Sequence, residues 1–204
     1  MPPASAPQTQ ADRRAEIEAA AYEVLLEKGY KSASMLAVAR RAKASNETMY
    51  RWYGDKAGLF QSLVTTNAAD VAKRLRALEE RDAINTLKRA APILLAMVTG
   101  ERAIALNRAA AANVAEGGEL GRAIAERGRN EIAPLIANVM QRAAQEGHLQ
   151  IEDPRQAADF FIRLLIGDLQ IRRVIGALPP LTDAEIATRA AEAVATFQAL
   201  HSTA

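Results

Sequence analysis

Residues 34–56 read SMLAVARRAKASNETMYRWYGDK. Ser34 is placed to cap a short helix through Arg41 or Ala42, with Met35, Leu36, Val38 and Ala39 as its apolar positions. Lys43 and Ala44 form a turn, and Ser45 caps a second short helix whose first turn is Asn46, Glu47 and Thr48. Gly54 closes that helix near Tyr53, and Asp55 caps a long fourth helix to about Glu79. Two short helices across a tight turn, followed by aromatic and cationic residues, are the pattern of a helix-turn-helix.

Working outward, the spacing of Ile17, Ala20, Ala21, Val24 and Leu25 predicts a helix from about Ala11 to Lys28, ended by Gly29, with Tyr30 packing back. Residues 1–10, rich in Pro, Ser, Gln and Ala, read as a disordered arm. Arg13 and Arg14 fit either solvated charges or an arm that reaches DNA. This divides the chain into an arm (1–10), a helix-turn-helix domain (11–56) and a helical body (57–204).

The charge pattern supports the same division. Residues 28–56 hold seven cations and two acids, a net of +5 against +2 for the whole chain, so the rest carries −3. That asymmetry suits local phosphate binding. Half of the 204 residues are hydrophobic, enough for a sizeable core, and alanine is abundant while strand-like runs are absent. An all-α fold of about nine helices follows. With no cysteine and only His148 and His201, disulfides are excluded and a metal site or a Ser-His-Asp arrangement has almost no material; His148 reads as a loop residue away from any carboxylate cluster. No cofactor and no enzyme activity are expected. No apolar run reaches the ~18 residues of a membrane span. The start lacks the features of a signal peptide, so a cytoplasmic location is expected.

In the body, helices are predicted over about 81–98 with Pro92 kinking or splitting the first, 101–115, 122–146 with Pro134 inside, 154–175, and one opened by the capping box Thr182–Glu185. The eighth, with Phe160, Phe161, Leu164, Leu165 and Val174, is apolar nearly all round, which calls for burial on two sides. One side fits the body core and the other a second copy. The expected dimer face is Ile162, Ile166, Leu169, Ile186, Ala190, Val194 and Phe197, forming a four-helix bundle across a two-fold axis. Asp168 is expected to pair with Arg172, four residues on. Pocket candidates by pattern are Leu94, Met97, Leu106, Asn107, Asn113, Ile136, Met140, Phe161 and Leu165, each of which also fits ordinary core.

In the second helix, Asn46 is suited to adenine, Glu47 to the cytosine amino group or simply to the helix N-terminus, and Thr48 to the thymine methyl. Ser34, Tyr50, Arg51, Tyr53 and Lys56 fit phosphate contacts, and Trp52 reads as a packing residue. A helical interaction module without DNA readout is the alternative.

The stretch EKGYKSASMLAVARRAKASNETMYRWYGDKAGLF resembles the DNA-binding signature of TetR-family transcriptional regulators. The likeness lies in EKGY, in Ala39 and Ala42, in the spacing of Ser45, Thr48 and Tyr50, and in the aromatic pair before Lys56. It implies a three-helix head on a ligand-binding, dimerising body, and a repressor released from palindromic DNA by a small, largely apolar molecule. It also implies DNA contacts from Ser34, Ser45, Thr48, Tyr50, Arg51 and Lys56. Lys43 and Glu47 stand where the family often has Gly; Lys43 then needs a left-handed backbone or contributes a phosphate contact. More weakly, DFFIRLLIGDLQIRRVIG is similar to the AefR-like branch.

Overall fold

The computed structural model describes residues 9–78 and 82–202. The expected arm therefore lies almost wholly outside the described residues, as do Glu79 and Arg81, the expected end of the fourth helix and start of the fifth. Among the described residues every regular element is helical.

The head is built from α1 (Gln10–Ser32), α2 (Met35–Arg41) and α3 (Asn46–Tyr53), and α4 (Lys56–Arg76) leads into the body. Thr9 and Asp12 close a capping box on α1. Gly29 takes φ 70° and ψ 168°, which ends the regular helix and folds Tyr30 back onto Phe60, with ring centroids 5.2 Å apart. Ser34, Ser45 and Asp55 cap α2, α3 and α4, each accepting a backbone N–H from three residues ahead.

The body comprises α5 (Ala83–Thr99), α6 (Glu101–Asn113), α7 (Glu119–Arg127), α8 (Ala133–Gln145), α9 (Pro154–Ile166), α10 (Leu169–Val174) and α11 (Asp183–Leu200). Pro92 lies inside α5 without dividing it. The helix expected over 122–146 is instead interrupted by a π-turn, Gly128–Ile132, after which Pro134 sits in the first turn of α8, where its missing N–H costs nothing. The helix expected over 154–175 also breaks, because Gly167 takes φ 51° and ψ −130°. Arg189 of α11 donates to the carbonyls of Leu164 and Leu165, which satisfies the end of α9 left open by that break. Asp168 then precedes α10 without a side-chain capping bond and lies 3.9 Å from Arg172.

Two apolar cores hold the chain. One joins the second half of α4 to α5, α8, α9 and α11, with Phe161 and Phe197 fully buried edge to face at 5.4 Å. The other joins the head and the first half of α4 to Ala105, Leu106, Ala109 and Ala110 of α6 and Leu120 of α7. This second core crosses the boundary expected at residue 56, so the head is seated on the body through shared packing. Asn113 reinforces that joint from within: it is buried, its amide donates to the Tyr30 hydroxyl and its carbonyl accepts from the Leu120 N–H.

Candidate nucleic-acid interface

Helix α3 has one buried stripe and one open face. Met49 and Tyr53, four residues apart, point into the head core, and Trp52 is half-buried with the Arg14 guanidinium 5.5 Å from its ring. Asn46, Glu47, Tyr50 and Arg51 stand exposed on the other side, with Tyr50 56% accessible. Arg51 lies 3.7 Å from Glu47, one turn away. Ser45 accepts the Thr48 N–H, and its own hydroxyl donates to Thr48 Oγ1 at 2.9 Å. The two hydroxyls thus fix the first turn of α3, and Thr48 is half-buried beside its exposed neighbours.

Tyr53, expected to donate to a phosphate, is instead 8% exposed, and its hydroxyl is buried with no hydrogen-bond partner among the described residues. Burial pushes its pKa up to about 12. The helical period is the reason: Tyr53 shares the Met49 stripe, and a residue there cannot reach the face that carries Tyr50.

The turn between α2 and α3 is held from a distance. Lys43 takes φ 51°, the left-handed conformation that was one of the two alternatives for a position where a Gly would be at ease. The Arg13 guanidinium reaches from α1 to the carbonyls of Ala42 and Lys43 at 2.8 and 2.7 Å. Arg13 is therefore a clamp on the turn rather than a solvated charge. Its position thirty residues before the turn left no local signal for this role. Arg41 is likewise engaged, with Glu23 and Glu27 of α1. Its charge is neutralised within the head and does not add to the basic surface.

On the flank, Ser34 is exposed, and Lys56 is half-buried with Nζ 4.1 Å from the Tyr30 ring centroid and 3.4 Å from the Lys31 carbonyl. Desolvation lowers the Lys56 pKa. Gly58 lets α4 start against α3: a Cβ there would lie 2.1 Å from the Tyr53 carbonyl oxygen.

In the body, the expected pocket residues divide. Met97, Leu106 and Asn107 line a cavity of about 140 Å³ together with Val64, Asn67 and Ala68 of α4, Ile124, Arg127 and Ile132 around the π-turn, and Gln170 of α10. Leu94, Ile136, Met140, Phe161 and Leu165 are instead packed in the body core, and Asn113 is the joint described above. Apolar helical spacing marks burial alone and does not separate a filled interior from a hollow one.

The expected dimer face divides too. Ala190, Val194 and Phe197 are buried within one chain, facing α5 and α9, whereas Ile162, Ile166, Leu169 and Ile186 remain partly exposed. The open side of α11 carries Ala184, Ala187, Thr188, Ala191 and Ala195. Phe160 is 37% exposed, and Ile171 of α10 and Ile175 just after it are more open still. On α11 the exposed side is the one opposite Ala190, Val194 and Phe197, with Ile186 at its edge. Among the described residues no helix is long and apolar enough to cross a membrane.

Comparison with known proteins agrees with this geometry. Residues 85–202 match the C-terminal domain of AefR-like transcriptional repressors, and residues 17–63 match the bacterial regulatory proteins of the tetR family. The uncharacterized HTH-type transcriptional regulator YdeS of Bacillus subtilis (strain 168) is 39% identical over 54 residues, 26% of this chain and 27% of that protein. The match thus spans about a quarter of that regulator's length. A solved structure from Mesorhizobium loti, assigned to the TetR family, superposes with a TM-score of 0.82 at 27% identity, covering 96% of this chain and 100% of the other. A TetR transcriptional regulator from Agrobacterium tumefaciens gives 0.76 at 28% identity, over 94% and 95%. With one family model on the head and another on more than half of the chain, the protein belongs to the TetR family of bacterial transcriptional regulators.

Proposed function

We propose that the protein is a homodimeric repressor that binds a palindromic operator through α3 and is released by a small, largely apolar ligand. The observation that carries this reading is the open face of α3. Asn46, Glu47, Tyr50 and Arg51 are presented together, at the end of a helix that a major groove accepts. Ser34, Lys43 and Lys56 flank that face and supply phosphate donors. Asn46, Glu47 and Thr48 are the base readers in this proposal, with Tyr50 and Arg51 holding phosphates.

The cavity beside α4 supports the switch. Three of its lining residues belong to the helix that also carries the head, so a molecule that fills it favours one α4 position over another. The exposed side of α11, with Phe160 and the open part of α9, is the proposed dimer face. Two heads carried by such a dimer engage half-sites about one DNA turn, or a multiple, apart. The place of action is the cytoplasm, where the operator lies.

Selection of bound duplexes from a random pool, followed by affinity measurements across salt, tests the reading. The expected outcome is a palindrome and a salt dependence equivalent to about six or more phosphates. Flat salt dependence would sink it in favour of a protein-interaction module. Within the same assay Lys56→Ala is expected to weaken every sequence alike and lower the salt slope by about 1, whereas Thr48→Ala changes base preference at one position per half-site.

A further inference from the structure

We propose that the ligand is an amphiphilic anion, with its apolar body in the cavity beside α4 and its single anionic group in the neighbouring cleft between α4 and the α5–α6 corner. This rests on the reading of that cavity as the ligand site and adds the chemical class: a medium-chain carboxylate or an anion of the same build.

The two hollows are neighbours. A cleft of about 700 Å³ runs along α4 past Asp70 and Arg74 and reaches Gly100, Glu101 and Arg102 at the α5–α6 corner. Asn67, Met97 and Ala103 line both this cleft and the cavity, so little more than those side chains separates them. Asn67 and Met97 are half-buried, and Ala103 offers only a methyl. An unbranched thioether changes rotamer at small cost, so Met97 is a soft partition. On α4 itself, Val64 and Asn67 belong to the cavity, and Asp70 and Arg74 to the cleft. Steps of three and four residues put all of them on one face of the helix.

Charge assigns the two ends of the ligand. Among the described residues that line the cavity, Arg127 alone is charged, and it is paired with Glu131. The Asn107 amide donates to the Ala103 carbonyl at 2.8 Å, and the Gln170 amide to the Val98 carbonyl at 3.2 Å. An anion placed inside would lose its water without gaining a free cation. The cleft is the reverse. Its cations Lys73, Arg74 and Arg102 have no ion-pair partner among the described residues, and the Arg102 guanidinium is held 5.1 Å from the centroid of the Tyr22 ring. Of the two acids there, Glu101 is engaged by the buried Arg173, which leaves Asp70 against three cations. The balance favours an anion. The first turn of α6 adds to it, because Gly100 caps that helix without a side chain on its N–H groups. A ligand of this build touches α4 at both of its ends, along the helix that carries the head.

The test is calorimetric titration of the full-length protein with octanoate and with 1-octanol, which share an apolar body and differ in the head group. It is repeated on the triple variant Lys73→Gln, Arg74→Gln, Arg102→Gln, whose three side chains are exposed, so that the fold is kept. The expected result is one octanoate per chain, displaced by 1-octanol and bound about tenfold or more tighter than it. The triple variant should lose that advantage and bind 1-octanol as before, and raising salt from about 50 to about 500 mM should shrink the advantage in the wild type. No saturable binding of octanoate, equal affinity for the two compounds, or an advantage that survives in the triple variant would each overturn the proposal. Operator release in the same samples separates this from the switch reading. Octanoate that binds as expected but leaves the DNA bound upholds the site and sinks the switch. Release by octanoate and 1-octanol alike upholds the switch and sinks the site.

Discussion

The head caps its helices with side chains that stand three residues from the N–H groups they serve; the body opens α5, α9 and α11 in the same local way but closes several helix ends with side chains from distant helices. Ser34, Ser45 and Asp55 cap α2, α3 and α4 locally. In the body, the end of α9 is satisfied by Arg189 from α11. Likewise the buried Arg173 of α10 donates to the carbonyls of Thr99 and Leu178 and pairs with Glu101, tying α10 to the α5–α6 corner. The head is thus a unit whose geometry follows from short-range chemistry. The body takes its shape from packing partners, which suits a part that has to hold a cavity and a second copy. The exception within the head is the α2–α3 turn, where Arg13 intervenes from α1.

The largest expected effect lies in the body. Phe197→Ala empties a fully buried site against Phe161 and Phe160, and should cost about 3–5 kcal/mol in denaturant unfolding. Because the two cores meet along α4, the loss should appear as one cooperative transition. A head that stays folded after the body has melted would break the picture of a shared joint.

Next is Gly58→Ala. Its Cβ meets the Tyr53 carbonyl, a backbone atom that cannot swing aside, so α3 and α4 must part. A cost of about 2–3 kcal/mol is expected, with operator affinity falling more than stability alone explains. Unchanged affinity would show that the placement of α3 on α4 is not what positions the reading face.

Arg13→Ala sharpens the local-versus-distant contrast inside the head. Removing two charge-assisted bonds to the turn should cost about 1–2 kcal/mol. Adding Lys43→Gly should return about 1 kcal/mol of it, because glycine accepts φ 51° without strain. Failure of that rescue would mean that the clamp holds something other than the turn.

The smallest effect is expected for Tyr53→Phe. Deleting a buried hydroxyl without a partner should leave stability unchanged or raise it by up to about 1 kcal/mol, with operator binding intact. The sign of its pH dependence follows from the pKa. The folded value, about 12, exceeds the ordinary 10.0, so the unfolded chain ionises first and stability falls as pH rises between them. Tyr53→Phe should reduce that alkaline loss, measured as Tm against pH. A fall in DNA affinity equal to that of Tyr50→Phe would return Tyr53 to the interface.

The same contrast explains what could be read in advance. The boundaries of α2 and α3 were legible because each rests on a cap or a glycine adjacent in sequence, such as Ser45 before α3 or Gly54 after it; Thr9, which opens α1 in a box with Asp12, instead reads as part of the arm. The left-handed backbone of Lys43 was one of two outcomes suggested by the resemblance to a family that often has Gly there. Tyr53 was misassigned because composition put it among aromatic and cationic neighbours, while its side was set by the Met49 stripe. In the body, Phe197, Val194 and Ala190 showed that α11 buries a stripe, but not whether the buried partner is the same chain or another.

The amino-acid sequence by itself determined the all-α class, the helix-turn-helix and its caps, because helical period and capping act over three or four residues. Only the tertiary structure decided which apolar residues fill a core and which line the cavity beside α4. It alone made Arg13 a clamp, and it alone brought His148, which reads as remote from any carboxylate cluster, to 3.5 Å from Glu146 and 3.8 Å from Asp82. Those outcomes depend on contacts between residues far apart in the chain, and no local pattern records which distant surface a side chain will meet.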